Sequence, residues 1–182
     1  MFAFLRRSRH ERTGYLLYGA AVAAARNPFL YGSLGVPDTI DGRFDMVGLH
    51  VFLVIRRATA LPPPGPAIGQ AVFDAMFNDM DVNLREMGVG DLAVGRRNRA
   101  MWEAFHGRAA SYRHALAGED PAALAAARAR NVWRGAAASP GSAAALAALV
   151  RAQDAALARQ SLESLCRGEV HFLPAQAGTA AA

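Results

Sequence analysis

Acids and arginines crowd into two otherwise apolar stretches of this chain. Residues 36–57 read VPDTIDGRFDMVGLHVFLVIRR and residues 73–97 read FDAMFNDMDVNLREMGVGDLAVGRR. Three acids in the first and five in the second make eight of the 15 in the chain. Two acidic segments on facing helices can hold Mg²⁺ and a diphosphate, because a hard cation takes several carboxylate oxygens. The candidate ligands are Asp38, Asp41 and Asp45 around one helix start, and Asp79, Asp81 and Glu86 on another helix. The spacing argues against that use. Asp79 and Asp81 are two apart and point in different directions on a helix, and no second carboxylate lies four residues from either. Asp38 and Asp41 suit turn capping. His50 with Asp45 is a formal acid–base pair that nothing in the sequence singles out. A P-loop, a dinucleotide fingerprint, a nucleophile elbow and an HExxH motif are all missing.

The other use of these charges is pairing. Arg43, Arg85, Arg96 and Arg97 fall within reach of Asp45, Asp79, Asp81 and Glu86 if the segments pack as helices. A half-buried polar network that is fully satisfied fixes one arrangement, and it presents charge to a partner. The partner-binding candidates are therefore Arg43, His50, Arg56, Arg57, Asp79, Asp81, Arg85, Glu86, Arg96 and Arg97. For His50, set in apolar sequence, the commoner role is a hydrogen-bonded core histidine.

The elements that must position these groups read as helices. Residues 14–26 form the first, with Thr13 as N-cap and Pro28 as stop. Residues 27–41 read as a loop. A nearly all-apolar helix over 43–59, opened by Asp41 or Gly42, is central. Residues 61–66 (LPPPGP) form a stiff, non-helical linker. Over 67–87, Phe73, Phe77, Met80, Leu84 and Met87 repeat at spacings of four, three, four and three, a buried stripe. Asp74, Asn78, Asp81 and Arg85 run beside it as a polar stripe, with Asp81 and Arg85 an i,i+4 pair. Gly88 fits a left-handed helix stop and Asp91 the next N-cap, so a tight hairpin joins the helix over 92–117, where Val94, Met101, Phe105 and Tyr112 face inward. A helix over 121–134 and a final helix over 142–166 follow, the latter burying Leu146, Leu149, Val150, Leu157 and Leu165 and ending at Gly168. Residues 169–173 pack back as an extended piece.

These elements predict an all-α, single-domain bundle of about six helices with a central apolar helix hairpin. Residues 1–13 read as a basic arm, 14–173 as the helical domain and 174–182 as a disordered tail. A chain of 182 residues with 53% hydrophobic and 19% charged residues supports one real core. All 20 cationic side chains are arginine, and net charge is +5, which favours acidic partners such as ribosomal RNA or anionic lipid. The single cysteine, Cys166, excludes a disulfide framework, and its leucine neighbours predict a buried thiol. No segment reaches the ~20 apolar residues that span a bilayer. Arg6-Arg7 ahead of residues 14–25 has the outline of a twin-arginine or secretory signal, but Tyr15, Tyr18 and the run into Arg26-Asn27-Pro28 fit a structural helix better.

The wording of three stretches is specific. Residues 14–57 (GYLLYGAAVAAARNPFLYGSLGVPDTIDGRFDMVGLHVFLVIRR), residues 73–97 and residues 104–116 (AFHGRAASYRHAL) together resemble the ubiquinol–cytochrome c chaperone family. The resemblance implies an all-helical protein that is not an enzyme, has no cofactor and supplies no catalytic residues. It implies a chaperone that binds newly made cytochrome b as client and helps it enter the bc1 complex. It also implies possible company: the mitochondrial form works near the ribosomal tunnel exit with a small partner protein. The lack of a long targeting extension implies a bacterial protein acting in the cytoplasm, peripheral to the inner membrane. Ribosome and anionic membrane surface are candidate partners, and specific DNA binding is not expected. The alternatives are a helical Mg-dependent enzyme for an isoprenoid diphosphate and a ribosome- or RNA-binding adaptor.

Overall fold

Leu17, Tyr18, Ala21 and Ala25 recur on one side of the first helix, and all four are buried. This helix, α1, spans Glu11–Ala25. The computed structural model describes residues 10–118, 132 and 140–176. Helix α1 starts earlier than a Thr13 cap predicts, with His10 as its N-cap. Thr13 lies inside the first turn and bonds elsewhere. Its hydroxyl donates to the Cys166 carbonyl at 3.2 Å, tying the helix to the C-terminal region. The core position of α1 also answers the signal-peptide reading, because removing this helix would strip the core of one wall.

Pro28 ends α1 and opens a short helix, α2 (Pro28–Gly32), where a loop was expected. Proline is well suited to the first helical position, and the Asn27 side chain caps the turn by accepting the Phe29 N–H at 2.9 Å. Helix α3 (Ile40–Thr59) is capped by Thr39, which accepts the Gly42 N–H at 3.1 Å, so Asp41 lies in the first turn instead of opening it. Met46, Leu49, Val51, Leu53 and Val54 of α3 are fully enclosed. Arg56 and Arg57 occupy its last turn, the favourable end of the helix dipole for cations.

Helix α4 (Gly65–Glu86) begins inside the proline-rich linker, since Pro66 is tolerated in a first turn. Its deepest residues are Ile68, Val72, Ala75, Met76 and Met80, facing α1 and α3. The predicted stripe lies partly elsewhere: Phe73 and Phe77 are half-buried toward the next helix, and Met87 is exposed. A helix covered on two sides carries two stripes, and the sequence pattern merges them. Gly88 has φ +77°, the left-handed stop expected of it. Helix α5 (Asp91–Ala117) follows with Gly90 as cap, one residue before the expected Asp91. Val94, Phe105 and Tyr112 of α5 are buried as predicted. The expected helix over 121–134 lies outside the described residues, apart from a buried Val132.

The single final helix is two. Helix α6 (Pro140–Ala158) and helix α7 (Leu162–Arg167) are separated by a turn, and Ser161 caps α7 by accepting the Ser164 N–H at 3.1 Å. Cys166 is exposed, contrary to the expected buried thiol, because α7 turns Leu165 inward and the next residue outward. Residues 169–176 then run back as an extended strap. Gln153 donates to the Leu173 carbonyl at 2.7 Å and accepts the Leu173 N–H at 2.8 Å. Gln160 does the same for His171, at 2.6 and 2.9 Å. Each side-chain amide thus replaces a neighbouring strand for one residue.

The architecture is all-α, one domain, with seven helices among the described residues. Helices α1, α3 and α4 form a mutually packed frame, in which the consecutive α3 and α4 make the central hairpin. Helix α6 covers α3, α7 covers α1 and α4, and α5 leans on α4 and α3. The frame is tight: a Cβ added at Gly14 would sit 2.5 Å from the Ala71 carbonyl oxygen, so α1 and α4 meet nearly backbone to backbone.

Candidate functional site

Where α5 leans away from the frame, a groove of about 730 Å³ opens. Its floor comes from the second half of α3 (Phe52, Ile55) and the first half of α4 (Gly69, Phe73). Its far wall is a stripe on α5: Trp102, His106, Ala109 and Arg113, at spacings of four, three and four. One helix face therefore carries the whole wall. The end of α6 supplies Asp154 and Ala158.

The floor is aromatic and interlocked. Phe73 meets Phe105 edge-on at 5.6 Å between ring centroids, and Phe77 at 4.6 Å. The Trp102 and His106 rings lie 4.0 Å apart, and Trp102 remains 47% exposed. An indole half open to solvent in an apolar groove is surface held ready for a partner. The rim is cationic. Arg56 pairs with Asp154 at 3.0 Å, and Arg57 donates to the Gln160 carbonyl at 3.0 Å. Arg113 is exposed and has no ion pair or hydrogen bond to another described residue.

Helix α5 is fastened to the frame by polar contacts. Arg108 pairs with Asp45 of α3 at 2.7 Å, with the carboxylate fully enclosed and the guanidinium 5.3 Å from the Phe44 ring. Asn98 donates to Asp81 at 2.8 Å, and Arg85 bridges Asp81, at 2.7 Å, and Asp91 across the hairpin turn. The Arg85 guanidinium, helped by Asn98, holds the Asp81 carboxyl below the usual aspartate range.

The sequence-predicted residues divide accordingly. Arg56 and Arg57 stand on the groove rim. Asp81 and Arg85 form their predicted pair and lock the α4–α5 hairpin. Asp79 accepts the Tyr18 hydroxyl at 2.7 Å, joining α4 to α1, and burial together with that carboxylate pushes the phenol well up. Arg43 pairs with Asp38 at 2.6 Å and lies 5.6 Å from the Tyr31 ring, away from the groove. His50 is buried, its Nδ1 2.8 Å from the Met46 carbonyl and its ring edge-on to Phe172 of the strap at 5.3 Å. A carbonyl can only accept, so Nδ1 carries the proton. Glu86, Arg96 and Arg97 are exposed, and none has an ion-pair partner among the described residues.

The expected pairing of Arg43, Arg96 and Arg97 with Asp45, Asp79 and Glu86 does not form: Arg43 takes Asp38, Asp45 takes Arg108 and Asp79 takes Tyr18, while Arg96, Arg97 and Glu86 have no ion pair among the described residues. Asp38, Asp45, Asp79 and Asp81 of the two acidic segments are spent separately on Arg43, Arg108, Tyr18 and Arg85. Among the described residues no three His, Cys, Asp or Glu side chains converge as metal ligands. Sequence reasoning missed Trp102, His106, Arg113, Arg108 and both strap glutamines. The α5 stripe was a visible signal at helical spacing, but nothing in the spacing says which helix face meets a gap.

The ubiquinol-cytochrome C chaperone family model matches residues 32–172. The fold is similar to the crystal structure of the Cbp3 homolog from Brucella abortus, with TM-score 0.81 and 35% sequence identity, over 96% of this chain and 97% of that one. No curated protein sequence matches the chain closely.

Proposed function

Because the chain belongs to the ubiquinol–cytochrome c chaperone family, we propose that it is a non-enzymatic assembly factor that binds newly made cytochrome b and delivers it to the bc1 complex. The groove between α5 and the frame is the client surface. The observation that carries this reading is its composition: an aromatic floor under a half-exposed Trp102, bounded by Arg56, Arg57 and Arg113. Such a surface covers an apolar client segment and takes charge at its margin.

No helix among the described residues is long and apolar enough to cross a membrane. The protein works at the cytoplasmic side of the inner membrane, reaching the client from outside the bilayer. The exposed Arg96 and Arg97, at the start of α5, are the contacts proposed for an anionic membrane surface or the ribosome. A small partner protein belongs to the same scheme.

Affinity capture of the full chain from solubilised membranes tests this. Cytochrome b co-purifies if the proposal holds. Deletion of the gene with unchanged levels of assembled bc1 complex overturns it.

A further inference from the structure

The strap and the groove treat polypeptide in opposite ways. The extended strap needs two glutamines to satisfy the backbone groups of His171 and Leu173. The groove offers nothing comparable. Its far wall and most of its floor are helix interiors, whose backbone groups are paired within the helix, and Gln70 at its edge is engaged with Asp74 at 2.9 Å. An extended chain laid there would leave its N–H and C=O groups unpaired against apolar surface. A helix satisfies its own backbone and carries no such cost.

The dimensions agree. The α5 stripe from Trp102 to Arg113 covers 11 residue steps, roughly 16 Å or three helical turns. Gly69, Ala109 and Ala158 line the groove without side chains of any reach, so a further helix can approach closely, ridge into groove. Charge sets the rest. Three guanidinium groups border the groove against the single carboxylate of Asp154, which Arg56 occupies, while Arg57 is held by the Gln160 carbonyl. That leaves Arg113, at the end of the stripe, as the rim cation with no partner among the described residues.

Resting on the groove being the client surface, we propose that its occupant is an apolar helix of about three turns that carries a carboxylate toward one end, and that Arg113 receives this carboxylate. The partner is a protein helix, recognised by apolar face and acid together. Charge then sets orientation: reversing the helix would take the acid from Arg113 and bring it to Trp102.

Trp102 itself reports binding. The chain has two tryptophans, so the full-length Trp133→Phe variant leaves Trp102 as the only indole. The probes are helical peptides of about 14 residues with a leucine face, one bearing glutamate at the end of that face, one lysine there, and one the glutamate with a central proline. The glutamate peptide shifts Trp102 emission to the blue, and its midpoint weakens with added salt. Arg113→Glu weakens the glutamate peptide roughly tenfold or more and favours the lysine peptide; Arg113→Gln falls between them. Both variants are checked for wild-type helicity and melting. Equal binding of the lysine peptide, or an unchanged midpoint in Arg113→Glu, overturns the charge assignment. Equal binding of the proline peptide overturns the helix. Capture of cytochrome b separates this from the wider reading: wild-type capture with insensitivity to Arg113→Glu sinks the groove inference alone, whereas no capture by the wild type sinks the client assignment and leaves the peptide result to judge the groove.

Discussion

The frame of α1, α3 and α4 and the wall formed by α5 are held by different forces. In the frame, Leu17, Ala21, Leu49, Leu53 and Ile68 are sealed from solvent, and Gly14 lets α1 lie on the backbone of α4. The wall contributes large rings, Phe105 and Tyr112 buried and Trp102 half open, and is fixed by Arg108, Asn98 and the Arg85 bridge. Close-packed surfaces leave no space between them. Point attachments hold a helix in place and leave room beside it. The groove is that room, so the looser packing of α5 is what the site consists of.

The sharpest way to break this comparison is to cut the strongest attachment. Arg108→Ala removes a guanidinium from the enclosed Asp45 carboxylate and should cost about 3–5 kcal/mol, read by chemical denaturation. Hydrogen exchange should show residues 91–117 losing protection ahead of α3. A loss below ~1 kcal/mol, or frame and wall exchanging together, would mean that α5 is packed like the frame after all. Leu53→Ala tests the other side. It opens a cavity in the frame and should cost about 2–5 kcal/mol, with the transition still cooperative and no selective loosening of α5.

The two regions also differ in how far they were legible. The frame follows from patterns that local sequence carries: the apolar run of α3, the proline stop at Pro28, the glycine stop at Gly88. The all-α class, the central hairpin and the Asp81–Arg85 pair came from such patterns. The wall follows only in part, because the Arg85 bridge is local but the enclosed ion pair that fastens the middle of α5 is long-range. Asp45 and Arg108 are 63 positions apart, and no periodicity links them. The Phe73–Met87 stripe read as one buried surface, whereas α4 divides it between frame and groove. The exposed Cys166 shows the same limit at small scale: its neighbours are apolar, but one turn of α7 decides which of two adjacent residues goes in.

The strap gives a third mode of attachment, in which glutamine side chains bond its backbone beside the packing of Val170 and Phe172, and so an intermediate test. Gln153→Ala removes both bonds to Leu173 and should cost about 1–3 kcal/mol, or less if water replaces the amide. Faster proteolysis within residues 169–176, with wild-type helicity, is the expected result. Gln153→Glu keeps the acceptor but sets a carboxylate oxygen against the Leu173 carbonyl at a buried position, so it should cost at least as much as the alanine.

The smallest expected effect belongs to the attachment nearest solvent. Asp81 is held below the ordinary aspartate pKa of ~3.9 by Arg85 first and by Asn98 as well. A carboxyl depressed in the folded state releases its proton more readily there than in the unfolded chain. Its contribution is therefore complete above the unfolded value and disappears as pH falls through the lower, folded one. The hairpin end of α5 should weaken only below about pH 4, while the carboxylate-free packing of Leu49 and Leu53 is indifferent to acid. Asp81→Asn keeps the size of the side chain and removes the titration. The fall in Tm between about pH 6 and about pH 3 should be shallower in that variant than in the wild type. Asp38 and Glu169 are depressed in the same way, by Arg43 and Arg167, so part of the slope will remain. Asp38→Asn provides the control: it removes a similar titration without touching α5. If Asp38→Asn flattens the profile and Asp81→Asn does not, the Arg85 bridge contributes nothing to holding the wall, and the aromatic contacts of Phe105 and the Arg108 pair must hold it alone.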